Sequence, residues 1–599
     1  MIGPDQRSVL TEALTPPAGY DFDSGLATTY SLDLVTLLGL PLHLAWLAGN
    51  VEADDGGIDP IATLEALRRT AARLTVFCDR GHLAAPRAAS TLLGLLEPVV
   101  HEIESPHGGA FHPKVWLLRF VNRTNGDVRV TLLVLSRNIT EDCSWDVLLR
   151  LDGAPGSRRD SSNVPLCRLF ETCIERSRKP LDAARLKSAS KLLEDAARCG
   201  WELPKGFDRI VFHAIGVNHR QKVWLPRLET GRDWDEIGVV SPFVTASAIE
   251  QLAWIAKSQA YVVSRAEELA KCGAEALVRF PRYLVMEESL LTTDAEDDAA
   301  GRLRGLHAKI FIATRGARTH LFVGSANATT AALSGRNVEF MVELQGPRRQ
   351  VGGPAEFVGD SGIGPMLREY TPDESEAPAT DVDEERLEEL RDALCDAPLR
   401  LDCAAQGPFW TMRLVGAEAA DLGDAKVTVW SATDHADRGV PLLGDCVVLG
   451  NFAKQELTCL TVFRLELGER ELCFVLNLPA TGLPPDREQA ILKAALRNRA
   501  AFMRYLLMLL GDLARLVGGR GKKRTRGKTV GPSDEDDPPL FELLAQSLAD
   551  DPQRLRHLRQ AVASLRSGEE GAEMFPDGFL DLWQPFEQVM DEEEAREAK

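Results

Sequence analysis

The stretch Gly108-Gly-Ala-Phe-His112-Pro-Lys114-Val-Trp-Leu-Leu118 decides the fold, because its order of residue types occurs a second time in the chain. A polar hairpin and an apolar strand follow it and end in Ser136-Arg-Asn138. The second copy runs Gly305-Leu-His307-Ala-Lys309-Ile-Phe-Ile312 and leads through another hairpin to Gly324-Ser325-Ala-Asn327. The spacing from His to Asn differs only through hairpin length. The sequence therefore predicts an internal repeat of two similar α/β halves.

The residue types in both copies suit the cleavage of a phosphodiester. His and Lys two positions apart on a strand point to the same face, so both can reach one pocket. One imidazole can attack phosphorus while a second protonates the leaving oxygen. Lys and Asn donate charge-assisted hydrogen bonds to the non-bridging oxygens. A carboxylate behind each imidazole would fix its tautomer, the role that we assign to Asp146 and Glu339.

A single His-X-Lys is most often a surface pair, and Ser-X-Asn is a common turn element. The same order found twice at corresponding places is what supports a functional site. Gly324 would let a phosphate approach the backbone closely. We predict these catalytic residues: His112, Lys114, Asn138, Asp146, His307, Lys309, Asn327 and Glu339. We predict that Ser136, Ser325 and Gly324 bind the phosphate, and that the reaction needs no metal or other cofactor.

The two His/Lys/Asn sets resemble the phospholipase D superfamily, the HKD phosphodiesterases, over about residues 20–345. The resemblance implies two α/β lobes with pseudo-twofold symmetry around one site, a covalent phosphohistidine and no metal. In that family the N-terminal His is commonly the nucleophile. This implies attack by His112 and acid/base work by His307, and the sequence leaves the swapped assignment open.

The chain departs from the usual family pattern, which has an Asp five residues after each Lys. Those positions hold Arg119 and Thr314. The same loss in both halves is similar to the tyrosyl-DNA phosphodiesterase subset, as is the segment from Ser136 to Asp146. The similarity favours nucleic acid over lipid as substrate, and DNA over RNA.

Composition narrows the class of protein. The 599 residues are 44% hydrophobic, enough for packed cores, and the net charge of −20 argues against broad coating of nucleic acid. No apolar run reaches the length of a membrane span, and the N-terminus lacks the apolar core of a secretory signal. Eleven cysteines without a CxxC pair argue against disulfides and zinc. We expect a soluble, cytoplasmic protein.

We expect six segments. Residues 1–155 form a first phospholipase D-like lobe, 156–205 a helical connection and 206–345 the second lobe. Residues 346–397 form an acidic linker, 398–485 a β-rich module and 486–599 a helical C-terminal region with a basic loop at 518–530. In this loop we predict contacts to nucleic acid from Arg520, Lys522, Lys523, Arg524, Arg526 and Lys528, with a solvated loop as the alternative.

The sequence thus predicts a metal-independent phosphodiesterase, foremost a nuclease that cleaves DNA. By family analogy it would serve a bacterial antiviral defence system beside a protein partner such as a helicase, as a monomer or homodimer. The acidic stretch Asp373–Glu385 could mask the site by mimicking substrate charge, so its deletion should raise activity. Two alternatives are a phospholipase or phosphatidyltransferase acting on lipid, and a non-catalytic scaffold in a larger complex.

Overall fold

The computed structural model describes residues 10–44, 64, 66–67, 70–140, 144–217, 234–287, 305–371, 382–495 and 579–597, with single or paired residues between 506 and 575. The basic loop predicted at 518–530 lies outside the described residues, and so does most of the acidic stretch Asp373–Glu385. No helix in the described ranges is long and apolar enough to cross a membrane.

The first lobe is built on a seven-stranded sheet with the order β5-β3-β1-β6-β7-β8-β9. Its strands are β1 (Tyr20–Thr29), β3 (Leu74–Asp79), β5 (Val100–Ile103), β6 (Val115–Asn122), β7 (Val128–Leu135), β8 (Leu148–Pro155) and β9 (Cys199–Trp201). Its helices are α1 (Leu10–Leu14), α2 (Leu34–Leu44), α3 (Val164–Arg176) and α4 (Ala183–Ala197). β3 is a continuous run of buried residues, as expected for a strand covered on both faces.

The second lobe has an eight-stranded sheet with the order β10-β16-β15-β14-β11-β12-β13-β17. Its strands are β10 (Arg209–Ile215), β11 (Trp234–Val240), β12 (Ala256–Val263), β13 (Tyr283–Met286), β14 (Ile310–Arg315), β15 (Arg318–Gly324), β16 (Glu339–Pro347) and β17 (Leu367–Glu369). Its helices are α5 (Ala246–Trp254), α6 (Ala266–Leu277), α7 (Thr330–Leu333), α8 (Arg348–Val351) and α9 (Pro354–Phe357).

The two lobes share one topology. The order β5-β3-β1-β6-β7-β8 in the first sheet corresponds to β13-β12-β11-β14-β15-β16 in the second. In the first lobe β1 pairs parallel with β3 and antiparallel with β6, which follows the His-X-Lys motif. In the second lobe β11 pairs in the same way with β12 and with β14. The predicted mixed α/β class with two similar lobes is confirmed.

A β-rich module follows the lobes. β18 (Arg400–Gln406), β19 (Phe409–Val415), β22 (Cys446–Phe452) and β25 (Ala480–Thr481) form a four-stranded sheet. A six-stranded sheet has the order β2-β4-β24-β23-β20-β21. Its own strands are β20 (Lys426–Ser431), β21 (Val440–Pro441), β23 (Leu460–Leu467) and β24 (Arg470–Asn477), whereas β2 (Leu32–Asp33) and β4 (Leu83–Ala84) come from the first lobe. The module is therefore joined to the first lobe by strand pairing.

Within the described ranges three further helices are α10 (Val382–Asp396), α11 (Arg487–Ala495) and α12 (Phe579–Glu597). The described C-terminal residues form a separate apolar cluster that includes Leu492 and Trp583. This agrees with the predicted helical C-terminal region.

The structure shifts several predicted boundaries. The segment 156–205 is not a separate connection, because β9 pairs with β8 and residues of α3 and α4 share the apolar core of the first lobe. The second lobe does not end at 345, because β17 pairs with β13. The predicted linker 346–397 contains α8 and α9 of the second lobe, and then α10. With these changes the domain division remains our proposal.

Helix α10 explains why the linker prediction was misleading. Its first turn is acidic, which suggests a solvated segment. Leu387, Leu390 and Leu394, however, recur at helical spacing and are buried in the core of the β-rich module. Their burial holds the helix on the module despite its charge.

Candidate active site

The two motifs meet because each lobe pairs with a segment of the other. The amide of His112 donates to Val338 O (2.9 Å), and the amide of Val338 donates to Ala110 O (2.9 Å). In the matching contact, the amide of His307 donates to Trp145 O and that of Trp145 to Gly305 O, both at 2.8 Å. These bridges place the two His-X-Lys segments at one junction between the lobes.

Glu339 lies behind His112 and not behind the histidine of its own lobe. His112 Nδ1 is 2.9 Å from Glu339 Oε2, and the Glu339 side chain is fully buried. Ser325 Oγ donates to the same carboxylate oxygen, and Asn337 Nδ2 donates to the other at 3.4 Å. Because the carboxylate can only accept, the proton of the neutral imidazole lies on Nδ1, which leaves the Nε2 lone pair available.

His307 has a different neighbour at Nδ1. Lys309 Nζ lies 3.2 Å from that atom and also donates to His307 O (2.7 Å) and, across the lobes, to Ser136 O (3.3 Å). An ammonium can only donate, so with Lys309 charged the ring proton of His307 lies on Nε2. With Lys309 charged and no phosphate bound, the two neutral imidazoles therefore carry their protons on opposite ring nitrogens.

Asp146 occupies the position in the first lobe that Glu339 has in the second. Its carboxylate forms an ion pair with Arg137 Nε at 3.6 Å, and its charge also acts on Lys309. The predicted role of Asp146 behind a catalytic histidine remains a prediction.

Burial dominates the protonation of the site. It lowers the pKa of His112 to about 4, against the opposing charge of Glu339. It lowers the pKa of Lys114 to about 7, and Lys114 Nζ donates to His112 O at 2.8 Å. Burial, and then the charge of Lys114, hold the pKa of Lys309 well below its usual range, while burial and Lys309 do the same for His307. A bound anion would oppose this effect of burial and raise the pKa of Lys114, Lys309 and His307.

The two predicted asparagines occupy equivalent places at the ends of β7 and β15. Asn138 Oδ1 accepts from the amide of Tyr30 (3.3 Å), and Asn327 Oδ1 lies 3.5 Å from Ser241 Oγ. The oxygen of each side chain thus faces the strand end of its own lobe. The amide nitrogen is the remaining donor of each and is available for a substrate oxygen.

The two predicted serines connect strand ends. Ser136 Oγ accepts from the amide of Val147 (2.8 Å), and Ser325 Oγ accepts from that of Phe340 (3.0 Å). Their hydroxyls therefore have backbone partners, and phosphate binding by either remains a prediction.

Gly324 requires a correction. A Cβ at this position would lie 2.2 Å from Phe340 O and 2.9 Å from the Cα of Met341. The glycine is needed because β16 packs closely against β15, and the space that we assigned to a phosphate is filled by backbone.

The positions of the missing motif Asp lie outside the histidine cluster. Arg119 forms ion pairs with Asp195 (2.7 Å) and Asp23 (2.8 Å) within the first lobe. Thr314 is fully buried in β14. Both residues have structural surroundings, so the departure leaves the His/Lys/Asn sets intact.

Three residues that the sequence analysis missed lie beside His112. The Tyr30 ring centroid is 5.2 Å from that of His112, and Tyr30 Oη is 2.6 Å from His82 Nε2. His82 Nδ1 lies 2.9 Å from Arg80 O and 3.2 Å from Asp79 Oδ2. Burial lowers the pKa of His82 to about 3 and raises that of Asp79 to about 8. The neutral His82 therefore accepts the Tyr30 hydroxyl and fixes the ring against His112. The one sequence signal was a cluster of polar residues directly after β3.

No family model and no curated protein matches this sequence. Among solved structures, two mutants of yeast tyrosyl-DNA phosphodiesterase are similar to it, with TM-scores of 0.35 and 0.33 and identities of 11% and 10%. Each match covers 57% of this chain, and 85% and 86% of the yeast chains. Polyphosphate kinase from Porphyromonas gingivalis gives a TM-score of 0.27 at 12% identity, covering 56% of this chain and 44% of that chain. On its own strand order, with a His-X-Lys segment leading into the same central strand of each lobe, this chain has a two-lobed mixed α/β fold.

Proposed function

We propose that the chain is a metal-independent phosphodiesterase, and that it cleaves DNA as a nuclease through a phosphohistidine on His112. The single observation that carries this proposal is the pairing across the lobes, which brings both His-X-Lys segments to one junction and places Glu339 at Nδ1 of His112. One chain thereby supplies a complete site.

In the first step the Nε2 lone pair of His112 attacks phosphorus, the Nε2–P bond forms and the bond from phosphorus to the leaving oxygen breaks. His307, which is protonated on both ring nitrogens once the phosphate is bound, gives its Nε2 proton to that oxygen and becomes neutral. In the second step His307 takes a proton from water, the water oxygen attacks phosphorus and the P–N bond breaks. The phosphate is released and His112 is regenerated.

Glu339 would stabilise the positive charge on His112, whereas the two lysines would stabilise the negative charge on the phosphate oxygens. The N-phosphorylated imidazole carries positive charge, which the buried carboxylate stabilises. Lys114 and Lys309 are almost completely buried and would donate to the non-bridging oxygens together with Asn138 and Asn327. Since these groups supply the positive charge that a metal would otherwise provide, we propose that the reaction proceeds in EDTA.

DNA as the substrate rests on the motif pattern, in which Arg119 and Thr314 replace the Asp of the usual family pattern, as in the tyrosyl-DNA phosphodiesterase subset. Family analogy supports two further proposals, an antiviral defence role and a helicase-type partner. A monomeric or homodimeric state and a cytoplasmic location also remain proposals.

The first test is cleavage of labelled single- and double-stranded DNA and RNA in EDTA by the wild type, His112→Ala, His307→Ala and the control His435→Ala, whose histidine is exposed in the β-rich module. We expect cleavage by the wild type and the control alone. Cleavage by both site variants would contradict the proposal, and hydrolysis of phosphatidylcholine vesicles instead of nucleic acid would favour the lipid alternative.

A second experiment decides which histidine attacks. The 4-nitrophenyl ester of thymidine 5′-phosphate has a leaving group that needs no acid. With this ester, His307→Ala should accumulate a covalent nucleotide adduct that intact mass spectrometry detects. An adduct in His112→Ala instead would show the swapped assignment.

A further inference from the structure

The loop that follows β11 is firmly anchored beside the His307 half of the site. Ser241 Oγ accepts from the amide of Ala328 (2.9 Å) and donates to Phe243 O (2.7 Å). Ser264 Oγ donates to Pro242 O at 3.3 Å, and Val244 forms a bridge with Ala328. The backbone around Phe243 is therefore fixed from both sides.

Phe243 nevertheless presents its side chain to solvent, with 38% of it exposed. The guanidinium carbon of Arg265 lies 5.0 Å from the ring centroid, and Arg265 Nε donates to Leu306 O at 3.1 Å. Leu306 directly precedes His307, so the arginine connects the exposed ring to the catalytic segment. A single exposed phenylalanine is ordinary on a protein surface and does not by itself indicate a binding site. Here it is combined with a rigid loop, a stacked cation and a site for phosphate.

We propose that Phe243 and Arg265 form a subsite that stacks one unpaired nucleobase next to the scissile phosphate, on the His307 side. The inference rests on the proposed nuclease function and specifies its substrate. The aromatic ring offers a face to any base, and the guanidinium adds positive charge for the adjacent backbone phosphate. A base in a duplex is covered by its neighbours in the stack, so the subsite selects single-stranded nucleic acid.

The first lobe uses the corresponding position differently. Tyr30 follows β1 as Ser241 follows β11, so the position of Phe243 corresponds to Leu32, which is fully buried. The subsite therefore belongs to one half, and it lies beside the histidine that we propose protonates the leaving oxygen. The stacked base is that of the leaving nucleotide.

Two measurements test this subsite. Phe243→Ala should raise KM for single-stranded oligo-dT about tenfold, as expected when one stacked base is lost. The ratio of kcat/KM for oligo-dT to that for bis(4-nitrophenyl) phosphate, a diester without a base, should fall by the same factor. Phe243→Trp should show quenched tryptophan fluorescence when oligo-dT is added, and less when the matching duplex is added. Phe409, which is 49% exposed on β19, provides the matched control variants Phe409→Ala and Phe409→Trp.

The outcomes separate the subsite from the proposed function. Cleavage by the wild type with an unchanged substrate ratio in Phe243→Ala would overturn the subsite. The wild type could fail to cleave both oligo-dT and the small diester while oligo-dT still quenches the fluorescence of Phe243→Trp. That result would support the subsite and overturn the nuclease function. Equal quenching in Phe243→Trp and Phe409→Trp would also overturn the subsite.

Discussion

Replacing Glu339 by Gln tests the proposed mechanism most directly. The side chain keeps its size and an oxygen that can accept the Nδ1 proton of His112, so the substitution mainly removes a negative charge. That charge is fully buried and lies 2.9 Å from the imidazole. A charge-assisted hydrogen bond is worth about 1.5–3 kcal/mol. Because 1.36 kcal/mol is a factor of ten in rate, we expect kcat to fall roughly 10- to 150-fold with little change in KM.

The pH dependence of kcat/KM in Glu339→Gln provides an independent test, through the direction in which its acidic limb moves. His112 must be unprotonated to attack, so activity of the wild type is lost as pH falls through its pKa of about 4. Glu339 raises this pKa against the effect of burial. Its neutralisation should therefore move the acidic limb of kcat/KM to lower pH, although the rate itself falls. A limb that moves to higher pH would refute the assignment of Glu339 as the partner of His112.

The chain offers a closely matched control for this substitution. Glu343 lies four residues further along β16, is also buried, and accepts from His213 Nε2 (2.9 Å) and His320 Nδ1 (2.7 Å). Both histidines lie outside the catalytic pair. Glu343→Gln should reduce the free energy of unfolding and leave kcat within about twofold of wild type. Equal losses of kcat in the two variants would show that the effect is structural and not catalytic.

Three further predictions concern the surroundings of the site. Tyr30→Phe removes the hydroxyl bonded to His82 but keeps the ring, so kcat should fall about fivefold, as steady-state kinetics would show, because a hydrogen bond contributes about 1 kcal/mol. Gly324→Ala should lower the free energy of unfolding by about 1–3 kcal/mol in urea, because the new methyl group would overlap Phe340 O. Glu102→Gln should destabilise by about 1–3 kcal/mol, because its carboxylate accepts two buried amides.

Each of these predictions has a result that contradicts it. Tyr20→Phe, at the opposite end of β1, should leave kcat unchanged, and an equal loss there would remove the special role of Tyr30. If Gly324→Ala raises KM for the substrate without changing stability, the original prediction that Gly324 contacts the phosphate would be supported. Unchanged urea unfolding of Glu102→Gln would show that water replaces its partners.

The repeat made the candidate His/Lys set recognisable from the sequence. His112, Lys114, His307 and Lys309 were identified because one order of residue types occurs twice. The sequence identified Glu339 as a carboxylate behind an imidazole, but it did not show which of the two imidazoles that is. Glu339 reaches His112 only because Phe111 and Val338 form a bridge between the lobes, and no local pattern encodes such a contact.

Other parts of the site depend on geometry that the sequence does not carry. Tyr30, Asp79 and His82 come together because parallel strands β1 and β3 end at the same edge of the sheet. Gly324 was assigned to the substrate because a glycine beside a motif serine suggests open space. In the folded chain the neighbouring strand fills that space.

The β-rich module is more closely joined to the first lobe than its position after residue 345 in the sequence suggests. The segment that carries Asp79 and His82 continues directly into β4, which pairs with β24 of the β-rich module. Glu102 accepts from the amides of Gly81 and Asn477, both at 3.0 Å, and so fastens the same segment to the module. The residues that orient Tyr30 against His112 therefore lie on the same short backbone segment that contacts the module. A displacement of the module would therefore act on this segment, and also on Glu97 of the first lobe, which accepts from the Thr458 hydroxyl and the amide of Cys459.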